Sequence, residues 1–297
     1  MYKFYSSDHY QVQLAENHKF PMAKYQLLKE SLVSEKIITI DQLVASEPAD
    51  KNNLYLAHDK EYVDHVLNLT LPAKRARPVG LPLNKEMVTR ALVSLSSSLL
   101  AAEKALEVNI SGALSSGTHH ASTDQGAGFC YFNDFAIIAR KYSNKKILIV
   151  DLDVHQGNGN GEILKSDPHV KIVDIYCENN YPFKKQFSPD GFNIGLPRGT
   201  RDDAYLSTLE QVLRRLDTHF DLILYQAGVD ILEHDHLGHF DISFEGVAMR
   251  DQMIFEWAAS HEIPISFVIG GGYAKDISQT VKANKNTFLK AKEIFGF

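Results

Sequence analysis

The chain has 297 residues, of which 44% are hydrophobic and 23% charged, and its formal net charge is −6. That length and balance fit a soluble globular protein with a large core, and an acidic chain is not expected to bind nucleic acid directly. Cys130 and Cys177 are too few for a disulfide scaffold and lack metal-motif spacing; with no apolar run of signal-peptide or membrane-span length, a cytoplasmic protein is the default expectation.

Taken in order, residues 3–6 predict a short strand. Residues 21–33 predict a helix with Pro21 in its first turn, and residues 59–70 a second helix. Residues 71–82 (LPAKRARPVGLP) hold three prolines and a glycine, so they read as a loop long enough to stand at a pocket rim. Lys74, Arg75 and Arg77 read as its solvated face. Asn84 is placed to cap a long helix over 85–108. A strand over 110–115 runs into Gly117-Thr118-His119-His120, and a glycine-rich turn covers 126–131. Asn133 or Asp134 opens the next helix. The apolar run 147–151 predicts a buried strand, as does 170–176, whereas 178–200 carries three prolines and reads as irregular. A helix over 202–218 precedes a strand over 221–226, which leads into Asp230. Ser243 caps a helix to about 261, a strand over 264–269 enters Gly270-Gly271-Gly272-Tyr273, and a last helix fills 277–294. Strands alternating with helices predict an α/β fold. Its expected form is one domain over 1–297 with a mostly parallel central sheet and helices on both faces.

The chemistry-bearing residues follow predicted strand ends. In parallel α/β sheets that edge is where ligands bind. Asp151, Asp153 and His155 share a face if the strand continues past 151, and such a cluster requires a cation or hydrogen bonds. Asp153, His155 and the distant Asp230 make three ligands with an open position, the pattern of a catalytic metal site. Asp151 either ligates as well or hydrogen-bonds a histidine. His119 and His120 offer a general base and a general acid, with Asp151 and Asn158 as candidate partners behind the rings. Tyr273 either donates to an oxyanion or simply packs under the glycine loop. GNGNG at 157–161 lacks the lysine of a phosphate loop. His234, His236 and His239 read as polar loop residues rather than a second metal site.

GTHHASTDQGAGFCYFND, DLDVHQGNG, YQAGVDILEHDHLG and GGGY, in this order, resemble the histone deacetylase family, and the segments around Gln156 and Asp230 resemble its class IV and bacterial members. The resemblance implies an arginase/deacetylase-like fold with a zinc ion at the base of a narrow tunnel. Asp153, His155 and Asp230 match the metal ligands, His119 and His120 the catalytic pair, and Tyr273 the catalytic tyrosine. Asp151 matches the carboxylate behind the first histidine. Gly128 and Phe129 match the tunnel wall, to which Gly271 and Gly272 are added. Asn158 stands where the best-known class has an aspartate, and Gln156 replaces a histidine. Zinc is the expected cofactor, iron(II) suits the same ligands, and a monovalent cation such as K+ is expected near the Asp151–His155 loop.

The function so implied is a zinc-dependent deacylase acting on acyl-lysine, acetyl or longer, in proteins. A small-molecule amidohydrolase acting on acetylpolyamines, a two-manganese guanidino hydrolase and a non-enzymatic acyl-lysine binding module are the alternatives.

Overall fold

The structure, a computed structural model, describes residues 1–297. Eight strands form its centre: β1 (Phe4–Ser6), β2 (Leu43–Ala45), β3 (Ile110–Ala113), β4 (Ile147–Asp151), β5 (Val170–Cys177), β6 (Phe192–Leu196), β7 (Leu222–Gln226) and β8 (Ile265–Val268). Ten helices surround them. The first five are α1 (Lys24–Ser34), α2 (Lys51–Leu54), α3 (Lys60–Leu67), α4 (Ala73–Ala76) and α5 (Lys85–Val108). The others are α6 (Asp134–Lys141), α7 (Asn158–Leu164), α8 (Asp202–Arg215), α9 (Phe244–Ser260) and α10 (Ile277–Phe295).

The strands form one sheet in the order β2-β1-β3-β8-β7-β4-β5-β6. Every pairing is parallel, so the sheet is wholly and not mostly parallel. The period-2 rule of strands divides the interior in two. Leu148, Val150, Ile223 and Tyr225 face one core, which α1, α8, α9 and α10 cover. Ile147, Ile149, Leu222 and Leu224 face the other, beneath α3, α5, α6 and α7. Both faces of the central strands are therefore apolar, as a sheet covered on two sides requires.

Caps mark the helix starts that the sequence indicated. Asn84 accepts from the Met87 N–H at 2.9 Å, Asn133 from Ala136 at 2.8 Å, and Ser243 from Gly246 at 2.9 Å. Other expectations are corrected. Pro21 lies ahead of α1, which opens at Lys24. Residues 71–82 contain α4 and a 3-10 turn over Arg77–Val79. The irregular stretch 178–200 contains edge strand β6, whose Asn and Gly hide its alternation. β2, three residues long at the opposite edge, is a further strand beyond those the sequence predicts. The glycine-rich stretch after His155 is helical: Gly157 precedes α7, and Gly159 and Gly161 lie within it. A Cβ on Gly159 would lie 2.2 Å from the Ala121 carbonyl oxygen, so close packing, not helix propensity, selects glycine there.

Beneath the sheet's C-terminal edge lies a buried ion pair, Arg250 Nη2 to Asp251 Oδ1 at 2.7 Å. Arg250 also donates to the carbonyls of Gly228 (2.5 Å), Leu152 (3.3 Å) and Ala227 (3.4 Å). Arg250→Met is expected to cost ~3–5 kcal/mol, because it leaves Asp251 charged and buried. A lowered urea midpoint at unchanged slope would show it; a midpoint equal to the parent's would remove the clamp from the stability of the fold.

Candidate active site

β4 ends at Asp151, so strand alternation does not aim Asp153 and His155; the bend that follows does. All of these groups are nonetheless gathered at one place. The Asp151 carboxylate is fully buried and its Oδ2 meets His119 Nδ1 at 2.8 Å. Asn160, which sequence reasoning passed over, donates to the same oxygen at 3.3 Å. Asn158 Oδ1 meets His120 Nδ1 at 2.7 Å. The two imidazoles lie with ring centroids 4.1 Å apart. One has a carboxylate behind it and the other an amide.

Burial works against charge on His119, but the Asp151 and Asp153 carboxylates outweigh it and raise the imidazole to about 9. Burial moves His120 the opposite way, well below its ordinary value, and the fields of His119 and His155 add to the effect. The pair thus holds one ring that favours charge and one that favours neutrality.

Asp153, His155 and Asp230 form a buried group whose donor atoms all lie within 4.8 Å of one another, a set that could hold a metal ion. His155 Nδ1 is 3.0 Å from Asp153 Oδ1 and 3.1 Å from Asp230 Oδ2. The outer oxygens are anchored by backbone: Gly271 N–H donates to Asp153 Oδ2 at 2.9 Å and Val154 N–H to Asp230 Oδ1 at 3.0 Å. Burial penalises charge on His155, yet the two carboxylates lift it to about 10. Two buried carboxylates around one imidazole leave an excess of negative charge, which suits a divalent cation. His234, His236 and His239 form no second such group.

Tyr273 is held through its backbone N–H, which donates to Asp235 Oδ2 at 2.6 Å. Its ring packs 5.8 Å from Phe129 and carries the Lys24 ammonium 5.5 Å from its centroid. Burial, then the Asp153 and Asp230 charges, raise the phenol well above its ordinary value, so it stays a donor. Lys24 is fully buried and donates to the Gly270 carbonyl at 2.9 Å, tying α1 to the glycine loop. Asp235 lies inside the LEHDHLG stretch, but nothing in the sequence says that its carboxylate turns back to Tyr273. Asp134 likewise receives the N–H groups of Gly117 (2.9 Å) and Thr118 (3.0 Å) and so fixes the loop that carries the histidine pair.

Gly128, Phe129 and Gly271 line the cavity at the site; Gly272 does not. A Cβ on Gly272 would meet Thr280 and Val229 side chains at 2.7 Å, so its face is turned into packing behind the wall. The Gly128–Phe129 turn has positive φ at both residues, 53° and 67°. The 71–82 segment holds it, through Val79 O from Phe129 N–H at 2.7 Å and Pro78 O from Gly128 N–H at 3.1 Å. Outward the site opens to a mouth of ≈ 520 Å³ that includes Lys19, Tyr181, His236 and His239 and no acidic residue.

An all-parallel α/β sheet whose C-terminal edge gathers a histidine pair, a buried Asp-His-Asp group and a tyrosine defines a hydrolase of arginase-like architecture. The histone deacetylase domain model matches residues 18–287. An uncharacterized protein of Picosynechococcus is 36% identical, with 96% of this chain and 97% of that protein covered. Histone deacetylase 2 of Arabidopsis thaliana is 30% identical over 89% of this chain and 72% of its own length. The acetylpolyamine aminohydrolase structure from Burkholderia pseudomallei superposes with a TM-score of 0.81 at 18% identity, covering 98% of this chain and 99% of that one, a likeness of fold. The chain belongs to the histone deacetylase family of hydrolases.

Proposed function

We propose that the protein is a metal-dependent deacylase that hydrolyses the amide of an acyl-lysine side chain in a protein or peptide. The observation that carries this reading is the convergence, on one cavity with an open mouth, of both histidines, Asp153, His155 and Tyr273. Asp153, His155 and Asp230 would hold one ion, zinc in the first instance. When bound, such an ion supplies Lewis acidity toward the amide carbonyl and lowers the pKa of water. His120 takes the proton of the attacking water: its Nδ1–H is committed to Asn158, which leaves Nε2 as acceptor. His119, with the Asp151 carboxylate behind it, keeps positive charge beside the developing negative charge. Tyr273 donates a hydrogen bond to the tetrahedral oxyanion, and His120 returns its proton to the departing amine. Asp174, buried beside this loop with Oδ1 unpartnered, suits the expected monovalent cation.

Asn158→Asp is expected to move the acidic limb of the kcat/KM profile to higher pH by ~1 unit. A carboxylate favours imidazolium, and a base must be unprotonated to act. An unmoved limb would take the base role away from His120.

A mouth without carboxylates disfavours a polyamine, whose free ammonium groups would meet Lys19 and two histidines. The deciding assay is a panel of acyl-lysine peptides and acetylpolyamines, run with and without chelator, together with metal analysis. Expected are chelator-sensitive peptide hydrolysis and about one ion per chain, as the single donor group implies. Turnover of acetylpolyamines alone, two manganese ions per chain, or peptide binding without turnover would each overturn the reading.

A further inference from the structure

One charged side chain of the interior has no part in the chemistry above. Arg90 projects from the second turn of α5 and is 5% exposed. Its guanidinium lies 4.5 Å from the Tyr25 ring centroid and 5.7 Å from that of Phe20. Its Nη2 is buried without a hydrogen-bond partner. Aromatic faces attract the cation but leave its in-plane N–H donors unsatisfied. To one side Arg90 borders a crevice with Ser7 and Asp8. Asp8 is already paired through Oδ2 with Lys29, and its Oδ1 has no partner. To the other side Arg90 lines the reaction cavity itself, together with Ser94, Ser116 and Thr118.

That cavity carries only one carboxylate, Asp153, which belongs to the Asp-His-Asp group. The methyl of an acetyl group has no use for a guanidinium and hydroxyls. A buried guanidinium opening on such a space is costly unless an anion joins it, and its planar fork matches a carboxylate. The cavity volume is ≈ 50 Å³. At roughly 10–15 Å³ for each water-sized occupant, the whole cavity, reacting centre included, admits about three to five such occupants. A fatty acyl chain exceeds that space, so only a short acyl group is compatible with it, and Arg90 on its wall favours one that ends in a carboxylate.

We propose that Arg90 is a specificity-determining residue, and that the acyl groups this chain removes are short and carboxylate-terminated, of the malonyl and succinyl class. This rests on the amide-hydrolase reading of the site. The chemistry is unchanged: water adds to the amide carbonyl, the C–N bond breaks, the amine leaves protonated and a dicarboxylate is released. Arg90 binds the distal carboxylate through both cleavage and release of the acid.

The test uses the metal-loaded full chain and peptides bearing acetyl-, butyryl-, succinyl- and neutral succinamoyl-lysine. The succinyl peptide is expected to exceed its neutral amide isostere in kcat/KM by ~10-fold or more, and Arg90→Met to lower the succinyl-to-butyryl ratio by ~10²-fold, the scale for removing one partner of a buried charge pair. Arg90→Lys, which keeps the charge, is expected to lose less and serves if Arg90→Met fails to fold, which thermal melting would show. A succinyl-to-butyryl ratio equal in the parent and both variants overturns the proposal while leaving amide hydrolysis standing. If no peptide is cleaved, the reading of the site fails, and calorimetry with succinate and with acetate decides Arg90 separately. Succinate bound tighter than acetate, with the difference lost in the variants, supports the proposal. Equal affinity for the two overturns it, since Arg90 then holds any free carboxylate.

Discussion

Gly271→Ala is expected to disable the site without altering any of its ligands. A Cβ at that position would lie 1.9 Å from Asp230 Oδ2 and 2.6 Å from Asp153 Oδ2. Neither contact can be tolerated, and neither carboxylate can retreat freely, because each has its other oxygen engaged by backbone or by His155. Alanine keeps the N–H that donates to Asp153, so the substitution isolates the steric effect. A displacement of about 1 Å at a reacting centre typically costs ~10² in rate, and disturbing the support of metal ligands costs ~10–100-fold in metal affinity. Acting together they are expected to reduce turnover by more than ~10³-fold. Metal content after dialysis, turnover and the melting temperature would be measured side by side. Full metal content with turnover within a few-fold of the parent would remove the Asp-His-Asp group from its assigned role.

Tyr273→Phe is expected to lower kcat by ~10²–10³-fold, the usual cost of one oxyanion donor. Only the hydroxyl is deleted. The backbone anchor to Asp235 and the ring contacts with Phe129 and Lys24 do not depend on it. Metal content and substrate affinity should therefore hold while kcat falls, the signature of an interaction made in the transition state. Equal turnover in parent and variant would leave Tyr273 as a packing residue.

The parts of the fold that were legible in the sequence are those in which a local pattern and the tertiary structure agree. Ile147–Val150 is apolar at every position, and such a run belongs inside a two-sided parallel sheet. Asn84, Asn133 and Ser243 announce helices that form where they indicate. The illegible parts are those in which tertiary contact overrides the local signal. Residues 158–164 contain two glycines that packing against Ala121 and Gln186 requires, and a helix forms despite them. β6 borrows its order from its pairing with β5.

The candidate site divides in the same way. Residues at or beyond the ends of central strands, such as His119, His120, Asp151 and Asp230, could be placed at one edge from the order of elements alone; His119 meets Asp151, His120 meets Asn158 and Asp230 meets His155. Asp235 and Asp134 reach their targets through loop geometry, which no spacing encodes. Lys24 and Arg90 lie within helices where a basic residue ordinarily reads as solvated surface; only the packed structure shows both to be interior.

The Arg250 guanidinium carries a further implication. It grips Leu152 and Gly228 at once, and these residues precede Asp153 and Asp230 on two neighbouring loops. Spreading those loops would stretch bonds to a single rigid planar group, which ties them to a common spacing. The distance between the two carboxylates is thereby gauged by a part of the protein that never meets substrate. Size discrimination among competing cations would then be inherited from helix α9 rather than from the loops that touch the ion.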